Sequence, residues 1–270
     1  MKILLNNSDL NEALYNVTDL GFVPTMGCLH NGHISLIKKS LKECKKTIVS
    51  IFVNPTQFNN KKDFKKYPRN NKKDLLILKK LKVNFLYIPN EKDVYNFKRK
   101  TSIKLNNKDK ILCAKFRKGH FEGVIDVMDR LTKIIRPQKI YMGEKDFQQL
   151  YLVKKYVTKK YNTEIISCKT IRNLNKLAFS SRNSLLNRKQ LNLAEKISYE
   201  IYLLKKKLSG NKNVNKIISE KKKDLLRTFN IKFDYIELRN ILNLKNSTNL
   251  KNSKLFFAYY INKVRLIDNL

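Results

Sequence analysis

A chain of 270 residues, of which 42% are hydrophobic and 10% aromatic, is long enough to bury a core, and this composition excludes a disordered or collagen-like protein. Basic residues outnumber acidic ones by 58 to 22, but lysine outnumbers arginine by 47 to 11 and is spread along the whole chain. Because nucleic-acid readers favour arginine in compact stripes, we interpret the net charge of +36 as compositional drift that still steers anionic substrates inward.

Membrane and redox signals are both weak. No apolar run approaches the roughly 18 residues of a membrane span, and residues 1–5 are too short for a secretion signal, so we expect a cytoplasmic protein. The cysteines are widely spaced and form no CxxC pair: Cys28, Cys44, Cys113 and Cys168. Their spacing predicts reduced thiols and not a zinc site or a disulfide framework.

Short apolar runs alternate with helical patterns over the first two-thirds of the chain. Runs rich in β-branched or aromatic residues predict strands at residues 21–23, 47–53, 84–88, 139–142 and 164–168. Apolar residues at helical spacing predict helices over residues 34–44, 75–81 and 124–135. Strands and helices in alternation indicate an α/β fold with a doubly wound parallel sheet.

The pattern changes near Arg172. The rest of the chain predicts two lysine-rich helices and then three strands, at residues 191–208, 214–229, 233–238, 254–260 and 264–267. The last two strands flank a tight hairpin in which Asn262 takes the left-handed conformation. We therefore expect a smaller C-terminal α+β domain over residues 172–270, following a first domain over residues 1–171.

Two of the three histidines lie three residues apart in the segment VPTMGCLHNGH, just after the first of these predicted strands. Gly27 permits a sharp turn, and Gly32 leaves space where the next helix begins, so backbone N–H groups can face an anion beside His30 and His33. The segment predicts a phosphate-binding helix start. A pair of ordinary capping or core histidines is the alternative interpretation.

Polar residues follow two further predicted strands. In IFVNPTQF, the amides of Asn54 and Gln57 stand at the end of the strand. In MGEKDFQQL, Lys145 can neutralise a phosphate, while Asp146 either orients that lysine or simply caps the following helix. Ligands of open α/β sheets bind beyond the carboxyl ends of the strands, so we expect these side chains at one site.

The segment LAFSSRN, residues 177–183, places two hydroxyls and a guanidinium side by side where the two parts of the chain meet. These donors suit a phosphate, although a serine-rich helix cap also explains the segment when it is taken alone. Together with the imidazoles and the lysine, they form a set of donors suited to a triphosphate and to the charge that develops during phosphoryl chemistry.

Six ordered segments, VPTMGCLHNGH, SIFVNPTQF with DFKKYPR, RKGHFEGV, GEKDFQQL, LAFSSRN and RLIDN, resemble the pantothenate synthetase family across nearly the whole chain. The resemblance implies a Rossmann-like domain that binds ATP and pantoate, a smaller C-terminal lid, and a homodimeric cytoplasmic ligase of the HxGH nucleotidyltransferase superfamily. It also implies that pantoate reacts with ATP and Mg²⁺ to give pantoyl adenylate and pyrophosphate. β-Alanine then displaces AMP to give pantothenate.

The resemblance also assigns roles to residues. His33, His30 and Lys145 are implied as catalytic, and Gln57 and Gln149 as the amides of the pantoate and β-alanine site. The implied ATP contacts are Met26, Gly27, Cys28, Leu29, His30, Asn31, Gly32, His33, Gly143, Glu144, Lys145, Asp146, Ile171, Phe179, Ser180, Ser181 and Arg182.

Three regions depart from the family pattern. Lys176 stands where the family usually has a glycine. The family's acidic cluster linked to magnesium is reduced here to Asp74 next to two lysines, so the magnesium ligands are not assigned. In the C-terminal hairpin, a stretch usually rich in small residues holds Phe256, Phe257, Tyr259 and Tyr260.

Two other functions stay open at this point. The first is another HxGH nucleotidyltransferase that adenylylates a phosphorylated substrate, which gives SIFVNPTQF and EKDFQQL no role. The second is a basic nucleic-acid-binding protein, but the chain lacks aromatic residues interleaved with basic ones and a recognition helix. The expected partners are therefore ATP, pantoate and β-alanine, with no specific nucleic acid and no membrane.

Overall fold

The computed structural model describes residues 1–96 and 103–270, which form two compact units, Met1–Lys169 and Thr170–Leu270. Each unit has its own sheet and its own buried apolar cluster. Among the described residues, no helix has the length and apolar character needed to cross a bilayer.

The first unit is built on a parallel sheet. Its described strands are β1 (Lys2–Leu4), β2 (Leu20–Thr25), β3 (Lys46–Ile51), β4 (Phe85–Tyr87), β5 (Lys139–Gly143) and β6 (Glu164–Cys168). Its described helices are α1 (Asn7–Leu14), α2 (Asn31–Glu43), α3 (Lys61–Lys66), α4 (Asn71–Lys80), α5 (Glu91–Tyr95), α6 (Cys113–Phe116), α7 (His120–Ile135) and α8 (Phe147–Val157). The strand order is β1-β4-β3-β2-β5-β6, and all the paired strands are parallel.

The central strands are apolar because both of their faces are covered. Val23 of β2 and Val49 of β3 have no exposed surface, and they share an apolar cluster with Leu36 and Ile37 of α2. Near-continuous apolar runs of this kind are typical of parallel strands with helices on both sides of the sheet. The predicted fold class, an α/β fold with a doubly wound parallel sheet, is confirmed.

All five strands predicted for this unit are present, with ends that differ by at most a few residues. The sequence did not predict β1 or α1. β1 is only three residues long and lies at the edge of the sheet, where it pairs with β4. So short a run is too brief to show the alternation by which a strand is recognised in a sequence.

The second unit is a small α+β structure, as predicted. It contains α9 (Arg188–Leu208), α10 (Val214–Phe229) and the antiparallel strands β7 (Lys232–Asn240), β8 (Ser253–Ile261) and β9 (Val264–Asn269). Phe257 and Tyr259 of β8 are almost fully buried and join Ile197 and Ile201 of α9 in one cluster. Two of the four bulky aromatic residues of this hairpin, Phe257 and Tyr259, therefore lie in the core of the unit. The predicted turn is also confirmed, since Asn262 has a φ of +51° between β8 and β9.

Lys176 occupies a strained backbone position. Its φ is +67°, in the left-handed region that favours glycine, and its Nζ lies 5.2 Å from the ring centroid of Tyr202. A left-handed conformation costs an L-residue about 1–2 kcal/mol, which exceeds what an exposed cation–π contact returns. The departure from the family's glycine therefore has a local cost in stability.

We expect Lys176→Gly to raise the free energy of unfolding by about 0.5 kcal/mol, because relief of backbone strain outweighs the greater freedom of glycine in the unfolded chain. Urea denaturation measures the change. Leu174→Gly is the matched control, since Leu174 lies in the same loop, is 94% exposed and does not have a positive φ. This control should lower stability, and a loss of stability in Lys176→Gly would contradict the strain argument.

Candidate active site

The strand order creates a crevice between the ends of β2 and β5. From β2 the chain continues through β3 to β4 on one side, and it then returns to β5 on the other side of β2. Such a reversal is the switch point at which open α/β sheets bind their ligands. The segment 26–33 follows β2 and the segment 144–146 follows β5, so the two predicted ATP segments of this unit flank the crevice.

The loop after β2 turns sharply into α2. Gly27 and Cys28 have φ values of +78° and +52°, so two successive residues are left-handed. The Thr25 hydroxyl fixes the start of this turn, because it donates to the backbone oxygen of Ser50 at 2.7 Å and accepts the N–H of Gly27 at 3.1 Å. The predicted need for glycine at residue 27 is therefore real.

His30 caps α2. Its Nδ1 accepts a hydrogen bond from the backbone N–H of Gly32 at 3.1 Å. A nitrogen that accepts carries no proton, so the neutral ring of His30 presents its N–H at Nε2. The capping interpretation of the sequence is therefore correct for Nδ1 of His30. The other ring nitrogen, Nε2, is left to donate to a ligand.

The rings of His30 and His33 touch, with centroids 4.1 Å apart. Burial and the charge of Lys145 lower the pKa of His30 to about 4, although Asp146 opposes them. Burial, His30 and Lys145 hold the pKa of His33 well below its usual range. Both imidazoles are therefore neutral at pH 7, and the charge of Lys145 acts on both of them across the crevice.

His33 has a ring nitrogen that is available to a ligand. Its Nδ1 is buried and has no hydrogen-bond partner among the described residues. A buried polar atom without a partner is costly and is commonly retained for a ligand or for chemistry. This atom is the clearest sign in the first unit that the histidine pair is more than structural.

The turn after β5 holds Lys145, the positively charged side chain of the site. Lys145 is only 16% exposed, and its Nζ lies 3.4 Å from Oδ1 of Asp146. Asp146 precedes α8 but makes no side-chain cap bond to it, so the simple capping interpretation of this residue is wrong. Its carboxylate faces Lys145 instead. Glu144, the first residue of the same turn, accepts a hydrogen bond from the hydroxyl of Ser167 at 2.9 Å.

The sequence left the role of Asp74 unassigned, and the structure gives it one. It is fully buried near the start of α4, and its two carboxylate oxygens accept the backbone N–H groups of Cys28 and Leu29, each at 2.8 Å. Both oxygens are engaged with the backbone, and the side chain has no exposed surface at which a hydrated magnesium ion could bind. Within the described parts of the chain, no group of three acidic, cysteine or histidine side chains is placed to hold a metal ion.

Gln57 is held at the end of β3 by a polar network that sequence reasoning missed. Its Oε1 accepts from the Asn54 amide at 3.1 Å, and its backbone oxygen lies 2.7 Å from Nδ1 of His120. Because a carbonyl oxygen only accepts, Nδ1 of His120 carries the proton, and Nε2 accepts from Arg117 at 2.9 Å. The histidine of RKGHFEGV therefore positions the loop that carries Gln57.

Gly123 of α7 completes this support. A Cβ at this position would lie 2.6 Å from the backbone oxygen of Thr56, so only glycine lets α7 approach the loop so closely. The Asn54 amide also donates to the Gly123 oxygen at 3.1 Å. The second glycine of the segment RKGHFEGV thus allows α7 to pack closely against the loop that carries Gln57.

The two glutamines of α8 differ in their surroundings. Gln148 is buried and donates to the backbone oxygens of Asp109 and Ile111 at 3.2 and 2.8 Å, which is a structural role. Gln149 is partly buried in the first turn after the segment that carries Lys145. The predicted binding residue is therefore the less buried of two adjacent amides.

The remaining predicted ATP contacts lie in the second unit. The backbone oxygen of Ile171 accepts from the N–H of Phe179 at 3.1 Å. Ser180 caps the short turn Ser181–Leu185 by accepting the N–H of Arg182 at 3.3 Å, so the capping interpretation of LAFSSRN is confirmed for this serine. Arg182 donates to the backbone oxygen of Arg265 at 3.3 Å.

The terminal segment RLIDN stabilises this unit. The Asp268 carboxylate pairs with the Arg172 guanidinium, which also donates to the backbone oxygen of Lys176 at 2.9 Å. Arg265 donates to Asp234 at 2.7 Å. The first ion pair ties the loop that contains Arg172 and Lys176 to β9, and the second ties β9 to β7.

The fold and the site define an α/β protein that presents imidazole and ammonium donors to an anionic ligand at the switch point of its sheet. The backbone N–H groups that the sequence predicted to face the anion are instead engaged within the protein at four positions, Gly27, Cys28, Leu29 and Gly32. The sequence matches the model of the family described as pantoate-beta-alanine ligase over residues 2–270. The chain belongs to this family, and it is a ligase that joins pantoate to β-alanine with the use of ATP.

Individual relatives agree with this assignment. The chain is 40% identical over 267 residues to the pantothenate synthetase of Flavobacterium psychrophilum, covering 97% of this chain and 94% of that protein. It is 42% identical over 265 residues to the enzyme of Francisella tularensis subsp. novicida, covering 96% and 92%. These similarities do not favour either alternative, a different nucleotidyltransferase or a nucleic-acid-binding protein.

Solved structures give the same result. The pantothenate synthetase of Thermus thermophilus superposes with a TM-score of 0.93 at 29% identity, covering 100% of this chain and 99% of that one. The pantoate-beta-alanine ligase of Francisella tularensis, complexed with beta-gamma ATP and beta-alanine, gives a TM-score of 0.84 at 39% identity, covering 100% and 97%.

Proposed function

We propose that the chain makes pantothenate in two steps, through a pantoyl adenylate formed at the crevice between β2 and β5. The observation that carries the proposal is the contact of two neutral imidazoles, 4.1 Å apart, under the charge of Lys145. Neutral N–H donors and a fixed cation are what adenylation of an ionised carboxylate requires.

In the first step, a carboxylate oxygen of pantoate attacks the α-phosphorus of ATP, and the bond from that phosphorus to the bridging oxygen of pyrophosphate breaks. The carboxylate is already ionised at neutral pH, so no general base is needed. Nε2–H of His30, the ring of His33 and the ammonium of Lys145 stabilise the charge that grows on the phosphate oxygens. Lys145 also balances the charge of the leaving pyrophosphate.

In the second step, the neutral amine of β-alanine attacks the acyl carbon of the adenylate. The carbon–oxygen bond to AMP breaks, and the new amide nitrogen releases a proton. The first step is what makes this attack possible, because AMP is a far better leaving group than the oxygen of a free carboxylate.

Magnesium enters as part of the substrate, bound to the phosphates of ATP, where it offsets negative charge. The complete burial of Asp74, together with its two backbone hydrogen bonds, argues against a resident metal at that residue. We therefore assign no protein ligand to magnesium.

Pyrophosphate exchange tests the first step. Purified protein with ATP, magnesium and pantoate, but without β-alanine, should exchange labelled pyrophosphate into ATP, and added β-alanine should then release AMP and pantothenate. Exchange that requires a phosphorylated acceptor in place of pantoate would contradict the proposal. So would the absence of exchange with any acceptor.

Gln57→Ala and Gln149→Ala should each raise the KM for pantoate more than the KM for ATP, because an amide both donates to and accepts from the hydroxyl and carboxylate groups of pantoate. Steady-state kinetics with each substrate varied in turn measure the difference.

Gln148→Ala is the matched control for Gln149→Ala. Its amide holds the backbone of Asp109 and Ile111, so its loss should lower stability and leave the ratio of the two KM values unchanged. Equal increases in both KM values for the Gln57 and Gln149 variants would mean that these amides are structural.

Assembly and location follow from the same resemblance. The proposed enzyme is a cytoplasmic homodimer whose second unit acts as a lid, with ATP contacts at Ile171 and at residues 179–182. Light scattering should give twice the chain mass of 31.9 kDa, and a monomer in solution would contradict the homodimer.

A further inference from the structure

Asp74 is a buried carboxylate that binds backbone. It has no exposed surface, and within the described residues its hydrogen bonds run to two successive N–H groups, those of Cys28 and Leu29, at 2.8 Å each. A buried charge is tolerated when several donors are directed at it. Asp74 therefore links α4 firmly to the loop between β2 and α2.

That loop needs an external support. Gly27 and Cys28 are both left-handed, a conformation that a side chain at Cys28 disfavours. Successive N–H groups in such a turn converge and form a concave site for an anion. The Asp74 carboxylate occupies this site and so holds the loop in its strained shape.

The support is one residue away from the histidine pair. Leu29 directly precedes His30, and Leu29 is itself almost fully buried. The position of the Leu29 backbone therefore sets the position from which the His30 side chain projects. Because the rings of His30 and His33 are in contact, the position of His30 also affects that of His33.

We propose that Asp74 is a positioning residue for adenylation, which fixes the loop of Cys28 and Leu29 so that His30 and His33 meet the phosphates of ATP, and that it is not a ligand of magnesium. The proposal rests on the proposed function for its effect on rate. Its structural part, the support of the loop, can be measured without any substrate.

The kinetic test compares Asp74→Asn with Asp93→Asn. Asp93 is a matched control, since its carboxylate accepts the backbone N–H groups of Asn7 and Asn90 at 3.4 and 3.0 Å, on a helix that carries no proposed site residue. Asp74→Asn should lower kcat for pyrophosphate exchange by roughly a hundredfold, the scale of a misplaced catalytic group, whereas Asp93→Asn should leave it nearly unchanged.

Two further readouts separate positioning from other roles. The magnesium concentration for half-maximal activity should not change in Asp74→Asn, whereas loss of a metal ligand would raise it. In the His30→Asn background, Asp74→Asn should lower kcat by a much smaller factor than it does alone, because the His30 imidazole that Asp74 positions is already absent. A raised magnesium requirement, or full additivity of the two changes, would overturn the proposal.

Amide hydrogen exchange tests the support itself. Asp74→Asn should increase exchange of the amides of residues 27–33 and leave the amides of β3 protected. If wild-type protein shows no pantoate-dependent exchange of pyrophosphate, the proposed function fails, but this measurement still decides whether Asp74 holds the loop. Unchanged protection of residues 27–33 would refute that role.

A second variant covers the case in which Asp74→Asn does not fold. Gly27→Ala would place a methyl group 3.1 Å from Oδ2 of Asp74, at a φ of +78°, and so disturb the same contact from the side of the loop. It should reproduce the loss of kcat with the magnesium requirement unchanged. A folded Gly27→Ala protein with normal kcat would count against the proposal.

Discussion

Replacing His33 with alanine is expected to slow the formation of pantoyl adenylate by roughly tenfold to a thousandfold, the range seen when one preorganised donor is lost. Nδ1 of His33 has no hydrogen-bond partner among the described residues, so the change breaks no hydrogen bond at that atom. The fold should therefore persist. A rapid-quench single-turnover measurement with ATP and pantoate gives the rate directly.

His30 needs a different substitution, because its Nδ1 also caps α2. Asparagine is a favoured N-cap, so His30→Asn keeps an acceptor for the N–H of Gly32 and removes only the imidazole. We expect the same tenfold to thousandfold loss with an unchanged melting temperature. Normal single-turnover rates in both His33→Ala and His30→Asn would exclude the imidazoles from the mechanism.

The pH profile adds a check on the same pair. A histidine with a pKa of about 4 becomes charged only when the pH falls to that value, well below the usual 6.5. The rate of adenylation should therefore show no decline near pH 6.5 that depends on His30. A limb at pH 6.5 that disappears in His30→Asn would contradict the neutral imidazole.

Lys145→Ala should lower both pyrophosphate exchange and the overall reaction by roughly a hundredfold to a thousandfold, because a largely buried ammonium at the crevice is lost and water replaces its charge poorly. The pKa of His30 should rise at the same time, since Lys145 contributes to lowering it. Exchange assays and titration of the His30 ring by NMR measure the two effects.

Lys154→Ala controls for the general charge of the protein. Lys154 lies on α8, the helix that follows the Lys145 turn, and it is exposed, so its removal lowers the net charge equally without touching the crevice. Its exchange rate should match that of wild type. If the two variants lost activity equally, Lys145 would act only through long-range attraction of ATP.

The sequence predicted the fold well because the signals were local. Helical spacing located α10 to the residue, and the β-branched run of β3 and the turn at Asn262 were equally clear. β1 was missed because a three-residue strand depends on its partner β4, which lies far along the chain. No pattern within residues 1–5 contains that information.

The site was predicted only in part, for the same reason. His30, His33 and Lys145 stood out as rare or charged residues at strand ends, and the structure places them within electrostatic reach of each other. The role of Asp74 was invisible, because its partners are backbone N–H groups on a loop 45 and 46 residues earlier in the chain. His120 lies in RKGHFEGV, one of the segments that carry the resemblance, but its backbone partner at Gln57 depends on how α7 packs.

The strand order also determines when the first unit can complete its sheet during synthesis. β2 lies between β3 and β5, yet β5 begins only at Lys139, so at about 5–20 residues per second one edge of β2 stays unpaired for on the order of ten seconds. During that time its apolar residues are open to other nascent chains. The second unit joins consecutive strands and can close as soon as it emerges. Aggregation during expression should therefore depend on how fast ribosomes reach β5.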